Sequence, residues 1–68
     1  QAGAILLRLL DQLDPERREA FVLADLEGFT APEIAELTGA NLTTVYTRIR
    51  AARERMAAGL AALRQEVA

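Results

Sequence analysis

The stretch that decides the fold is Thr30 to Met56, TAPEIAELTGANLTTVYTRIRAARERM. Thr30 followed by Glu33 predicts a capping box, in which each side chain accepts a hydrogen bond from the other residue's backbone N–H. Gly39 ends this short helix, because glycine takes the left-handed conformation without a Cβ penalty. Asn41 is a good N-cap for a second, longer helix. A short helix, a tight turn and a long helix are typical of a helix-turn-helix, whose second helix enters the major groove of DNA.

The long helix that starts at Leu42 has two chemically different sides. At about 100° per residue, one apolar stripe must face the core: Leu42, Val45, Ile49, Ala52 and Met56. The opposite side and its edges carry the candidate DNA-binding residues: Thr43, Thr44, Tyr46, Thr47, Arg48, Arg50 and Arg53. Hydroxyl and guanidinium groups bond phosphates and base edges, and arginine binds guanine through two hydrogen bonds. We therefore predict that this side binds DNA, the alternative being an ordinary solvated helix face.

These residues also resemble region 4 of bacterial sigma factors, especially the small extracytoplasmic-function group. The common pattern runs roughly EIAe-x-x-G-x-x-x-x-TV-x-[ST]-R-[LI]-x-x-AR, and the matching positions here are Glu33, Ile34, Ala35, Glu36, Gly39, Thr44, Val45, Thr47, Arg48, Ile49, Ala52 and Arg53. The upstream LDQLDPERREAFVLADLEGFT is similar to the first half of that region, so the resemblance spans Leu9 to about Leu60. Response-regulator helix-turn-helix domains also carry EIA and TV, but they usually have histidine where Arg48 stands.

The resemblance agrees with an all-α fold: a small four-helix bundle containing a helix-turn-helix of the sigma region 4 type, winged-helix-like but with no sheet. We expect a single domain over residues 1–68. Its predicted helices lie near 4–13, 15–27, 31–38 and 42–64, and its helix-turn-helix covers 31–55.

The function that the resemblance implies is sequence-specific duplex DNA binding in transcription initiation. It implies recognition of the −35 promoter element by the C-terminal domain of a sigma factor, with RNA polymerase core as a partner. At the matching positions, Thr44 and Arg48 would contact phosphates, while Thr47 and Arg50, with Tyr46 beside them, would face bases. Many relatives have a basic residue at Tyr46 and another at Ala51, so the promoter sequence is not implied.

Composition narrows the function classes. The 68 residues are 51% apolar and contain no cysteine and no histidine. This excludes disulfides, thiolate or imidazole metal sites and the commonest nucleophile and base pairs of catalysis. We expect no enzyme activity, no cofactor and no metal. No apolar run approaches the roughly 18 residues of a membrane span, so we expect no membrane partner and a cytoplasmic protein.

Charge is polarised along the chain. The net charge is −2, but residues 1–40 carry −5 and residues 41–55 carry +3. All eight basic residues are arginine, which favours bidentate contacts over the point charge of lysine. Phosphate neutralisation supplies most non-specific affinity, so we predict a weak DNA-binding module that depends on a larger assembly.

The segment before the helix-turn-helix contains clear helix signals. Asp14 followed by Pro15 predicts an N-cap and the first position of a helix. Gly28 predicts the end of that helix. Phe29 directly precedes the Thr30 cap, and we interpret it as a core residue that packs on Ile34 as a hydrophobic staple.

The two ends of the chain are rich in leucine. The first helix has a broad apolar face: Ile5, Leu6, Leu9, Leu10 and Leu13. The tail continues an apolar stripe at Leu60, Leu63 and Val67, and Gly59 within it predicts a bend or fraying. The simple reading is that these ends pack on each other. The alternative function is a protein-interaction module that self-associates or binds an anti-sigma regulator, through Ile5, Leu7, Leu60 and Leu63.

Overall fold

The computed structural model describes residues 2–67, and every regular element in that range is helical. Helix α1 spans Ala2–Asp11, α2 spans Pro15–Phe21 and continues as a π-helical turn over Val22–Leu26, α3 spans Ala31–Thr38, and α4 spans Leu42–Val67. The predicted all-α fold with four helices is confirmed for these residues. No helix within 2–67 is long and apolar enough to cross a membrane.

The helix-turn-helix forms because its local bonding signals agree. The Thr30 hydroxyl accepts from the Glu33 N–H at 3.3 Å, and the Glu33 carboxylate accepts from the Thr30 N–H at 2.8 Å. Gly39 caps α3 with a φ of 77°, in the left-handed region that glycine favours. The Asn41 side chain accepts from the Thr44 N–H at 2.8 Å, which starts α4.

The turn between α1 and α2 is closed by an arginine. Helix α1 ends at Asp11, before the predicted residue 13, because the next two N–H groups bond carbonyls three residues back. Arg18 Nε donates to the Leu10 carbonyl at 2.9 Å, and Arg18 Nη2 donates to the Leu13 carbonyl at 2.7 Å. The guanidinium thus gives the Leu10 carbonyl a second hydrogen bond, beside the one from the Leu13 N–H, and also bonds the Leu13 carbonyl in the turn.

Two apolar clusters hold the helices together. The helix-turn-helix cluster consists of Ala20, Ile34, Val45 and Ile49. The terminal cluster consists of Leu9, Leu10, Leu13, Ala52 and Met56, with Leu6, Phe21, Val22 and Leu63 packed against it. Helix α4 contributes residues to both clusters and therefore joins them. The molecule is 41 Å long.

The structure corrects the prediction of fraying at Gly59. Helix α4 runs without interruption to Val67, and Gly59 is buried. A Cβ at this position would lie 2.6 Å from Leu9 Cδ2 and 3.2 Å from Gln12 Oε1. The absent side chain therefore allows α1 to approach α4 closely.

Two residues that the sequence assigns to the core lie at the surface. Leu42 is 42% exposed, because it is the first residue of α4 and the buried stripe begins one turn later, at Val45. Phe29 is 37% exposed, and its backbone N–H bonds the Leu23 carbonyl at 2.9 Å. The predicted packing of Phe29 into the core is wrong, since backbone bonding at the end of the π-helical turn holds this residue at the surface.

Candidate nucleic-acid interface

Burial of one side of α4 leaves the opposite side to solvent. The inner stripe is buried and contains Val45, Ile49, Ala52 and Met56. The outer side is exposed and contains Thr43, Thr47, Arg50 and Glu54. This separation follows from the apolar spacing of the helix, and it gives the second helix of the motif a polar outer face.

The three threonines of this helix differ in their availability. Thr43 and Thr47 are exposed, and the Thr47 hydroxyl donates to the Thr43 carbonyl at 3.0 Å. That bond leaves the lone pairs of the Thr47 oxygen free to accept. Thr44 is half-buried in the first turn of α4, where its N–H bonds the cap.

Tyr46 and Arg50 lie together on an open groove of α4. The groove is lined by Tyr46, Ile49, Arg50, Arg53 and Glu54. Tyr46 is 52% exposed, and no carboxylate within residues 2–67 forms an ion pair with Arg50. The Arg50 guanidinium therefore keeps its donors available for an external acceptor.

Arg53 is bonded to the π-helical turn. Its Nε donates to Asp25 Oδ2 at 2.8 Å, and its Nη2 donates to Asp25 Oδ1 at 2.5 Å. This hydrogen bonding lowers the pKa of Asp25 and raises the pKa of Arg53. The turn has an i to i+5 bond from the Glu27 N–H to the Val22 carbonyl, and Asp25 lies within it.

Arg48 is bonded to the first turn of α2. Its Nη2 lies 2.5 Å from Glu16 Oε2, and the Arg48 side chain is only 26% exposed. Arg48 lines a second, polar groove together with Glu16, Arg17 and Thr47. Arg17 pairs there with Asp14 at 2.8 Å. Hydrogen bonding from Arg17 lowers the pKa of Asp14.

The structure thus divides the seven predicted residues into three groups. Those open to solvent without a carboxylate partner in the described range are Thr43, Tyr46, Thr47 and Arg50. Arg48 and Arg53 are exposed in part and engaged by acids of α2 and its π-helical turn. Thr44 is half-buried, and its N–H bonds the Asn41 cap.

Sequence reasoning did not identify the acidic neighbours of this surface. Glu54 lies on the groove itself, and Asp25 and Glu16 bond arginines 28 and 32 residues away in the chain. Helical spacing finds partners three or four residues apart, so it contains no signal for these pairs.

The fold and this surface define a class of protein: a helix-turn-helix DNA-binding domain with an arginine-bearing second helix. Comparison with known families agrees, since the family described as "Sigma-70, region 4" matches residues 3–56. The chain belongs to this family, and the resemblance seen in the sequence is confirmed. The members of this family are sigma factors, which act in transcription initiation.

A curated relative supports the same assignment. The chain is 44% identical over 54 residues to the ECF RNA polymerase sigma factor SigE of Mycolicibacterium smegmatis. The matched part is 79% of this chain and 21% of that protein. No solved structure matches the chain.

Proposed function

We propose that this chain binds duplex DNA sequence-specifically and recognises the −35 promoter element as the DNA-binding domain of a sigma factor. The observation that supports this most is the outer side of α4, where Arg50 lies beside Tyr46 with no carboxylate partner in the described range. In a helix-turn-helix, the first turns of the second helix are the part that reaches base edges in the major groove.

The proposed roles follow from exposure and partners. Arg50 and Thr47 are assigned to base edges, with Tyr46 beside them, because their polar groups are open to solvent. Arg48 is assigned to phosphate, because it lies at the edge of the outer face near α2. Arginine is suited to both tasks, since its planar fork matches guanine and phosphate oxygens.

The protein partner proposed with this function is RNA polymerase core. Family membership supports it, since the related SigE is named as an RNA polymerase sigma factor. We place the function in the cytoplasm, where promoter DNA and RNA polymerase of a bacterium are located.

The first test compares two arginine variants of the 68-residue chain on DNA. A pool of random duplexes is first selected for binding at low salt, and affinity for a selected and a scrambled duplex is then followed by fluorescence anisotropy. Arg50→Ala should weaken binding to the selected duplex by about 1 to 3 kcal/mol and reduce discrimination between the two duplexes. Arg48→Ala should weaken both duplexes equally and reduce the salt slope by no more than about 0.9, the value for one full phosphate contact.

Arg64→Ala is the matched control, because Arg64 lies in the last turn of the same helix, outside the helix-turn-helix. It removes the same charge as Arg50→Ala. If Arg50→Ala binds no more weakly than Arg64→Ala, the proposed orientation of α4 on DNA is wrong.

The alternative function is a protein-interaction module, and one observation favours it. An apolar groove of about 440 Å³ lies between α1 and α4, lined by Ile5, Leu6, Leu9, Phe21, Met56, Ala57 and Leu60. Leu63 is not part of an open surface, because it packs on the terminal cluster. A sedimentation series without DNA tests the self-association form of this alternative, since a chain that remains monomeric at all concentrations contradicts self-association.

A further inference from the structure

Two of the four arginines between Asn41 and Arg55 are held by carboxylates of the preceding helix and its π-helical turn. We call residues 41–55 the basic segment, and its net charge is +3. Asp25 bonds Arg53 and Glu16 bonds Arg48. When the charges of these two carboxylates are added, the net charge of the basic segment with its bonded acids is +1. The positive charge that a phosphate backbone meets is therefore much smaller than the composition of the basic segment indicates.

The Asp25 contact uses one edge of the Arg53 guanidinium. Nε and Nη2 both donate to the carboxylate, which is the paired geometry that a phosphate would also need. A phosphate that approaches this arginine must either replace the carboxylate or bind beside a like charge. Both alternatives weaken DNA binding relative to an arginine without an acidic partner.

We propose that Asp25 and Glu16 act as intramolecular competitors of DNA, holding Arg53 and Arg48 and thereby limiting the affinity of this domain for the phosphate backbone. This inference rests on the proposed DNA-binding function and adds to it the residues that set its strength. A domain restrained in this way binds promoter DNA stably only when other contacts add to its own.

Asp25 is the stronger competitor of the two. Its side chain is 25% exposed and accepts two hydrogen bonds from Arg53, and this bonding lowers the pKa of Asp25. Glu16 makes one contact, and its side chain is 68% exposed. A carboxylate that accepts two parallel hydrogen bonds holds an arginine more firmly than one that accepts a single bond, so Asp25 should compete better than Glu16.

An opposite role for Asp25 predicts the opposite result. If the carboxylate positioned Arg53 for productive contact with DNA, removing its charge would weaken binding. Asp25→Asn separates the two roles, because the amide keeps the shape of the side chain and one acceptor oxygen while losing the charge.

The experiment measures binding of the 68-residue chain to a mixed-sequence duplex by fluorescence anisotropy over a range of salt concentrations. Asp25→Asn should bind about two- to five-fold more tightly at low salt, and Glu16→Gln should show a smaller gain in the same direction. The slope of log K against log salt should steepen by up to about 0.9 for each arginine released to a phosphate. A change confined to folding would not alter that slope.

Glu66→Gln is the matched control, since it removes one negative charge from an exposed residue at the far end of α4. Its affinity should stay close to that of the parent chain. Arg53→Ala provides the second control, because the steepening of the salt slope by Asp25→Asn should disappear when there is no Arg53 to release to a phosphate. A steepening that persists without Arg53, or that Glu66→Gln reproduces, overturns the proposal.

The outcomes separate this inference from the proposed function. If the parent chain binds and Arg50→Ala weakens it, but neither Asp25→Asn nor Glu16→Gln binds more tightly, only the competition proposal fails. If neither the parent chain nor any variant binds a duplex, both proposals fail. Because Glu16 is exposed, Glu16→Gln still decides the question if Asp25→Asn disturbs the fold, which a thermal melt of each variant reveals.

Discussion

The two apolar clusters of this molecule are buried to different degrees. In the helix-turn-helix cluster, Ile34 and Val45 are each only 1% exposed. At the edge of the terminal cluster, Ile5 and Leu60 are 39% and 37% exposed and line an open groove. The first cluster packs α2, α3 and α4 against one another, whereas the second packs α1 on α4 and leaves apolar surface uncovered.

The surfaces next to the two clusters differ in their charge. The outer face of the helix-turn-helix is polar and contains arginines, some of them already paired with acids. The terminal groove contains no charged side chain among its lining residues. Contacts to DNA at the first surface depend on charge and salt, whereas any contact at the second depends on apolar area.

The largest expected difference between the clusters is in stability. Ile34→Ala removes a fully buried side chain and should lower the free energy of unfolding by about 2 to 5 kcal/mol. Leu63→Ala, at a half-buried position on the terminal cluster, should cost less than that range. Urea unfolding of both variants measures the difference, and an equal or larger loss for Leu63→Ala would contradict the comparison.

The next effect concerns the close approach at Gly59. Gly59→Leu should lower the free energy of unfolding by about 1 to 3 kcal/mol, because a side chain there must displace Leu9 from the terminal cluster. Ala58→Leu is the control, since residue 58 is exposed on the same helix. Thermal melts should show a lower midpoint for Gly59→Leu alone, and equal midpoints for both variants would mean that α1 does not need this approach.

The smallest effect is the response of stability to acid. Asp25 and Glu33 have pKa values held below their ordinary 3.8 and 4.5 by hydrogen bonds from Arg53 and from the Thr30 backbone. A carboxyl group whose pKa is lowered by folding stabilises the folded state at pH values above its ordinary pKa. That stabilisation is lost as the pH falls through the lowered pKa. The free energy of unfolding should therefore decline on acidification below about pH 4.5.

Asp25→Asn sharpens this prediction. It should make the acid-induced loss of stability shallower by less than about 1 kcal/mol, because the Arg53 side chain is 58% exposed and solvent screens its contact with Asp25. Urea unfolding at a series of pH values measures it. A loss identical in the parent chain and in Asp25→Asn would show that this ion pair does not contribute to stability.

Local chemistry explains what could be predicted from the sequence. The bonds at Asp14, Thr30 with Glu33, Gly39 and Asn41 each involve residues a few positions apart, and the structure contains all of them. The buried stripe from Val45 to Met56 also follows from helical spacing alone.

Contacts between distant segments explain what could not be predicted. Three sets of contacts depend on how the helices are placed in space: the ion pairs of Arg48 and Arg53, the bonds of Arg18 to carbonyls at the end of α1 and in the turn after it, and the approach of Leu9 to Gly59. Spacing assigned Arg48 and Arg53 to the outer face but contained no information on the acids that meet them there. The predicted set of residues therefore lacked the acids that bond two of its arginines.

One measurement tests the central proposal most directly: titration of the isotope-labelled chain with a promoter-like duplex at low salt, following each amide resonance. The proposed function predicts shifts concentrated between Thr43 and Arg53, with α3 and the terminal groove changing less. An absence of shifts there, together with concentration-dependent changes at Ile5 to Leu10 and Leu60 to Val67, would contradict it and favour the protein-interaction module.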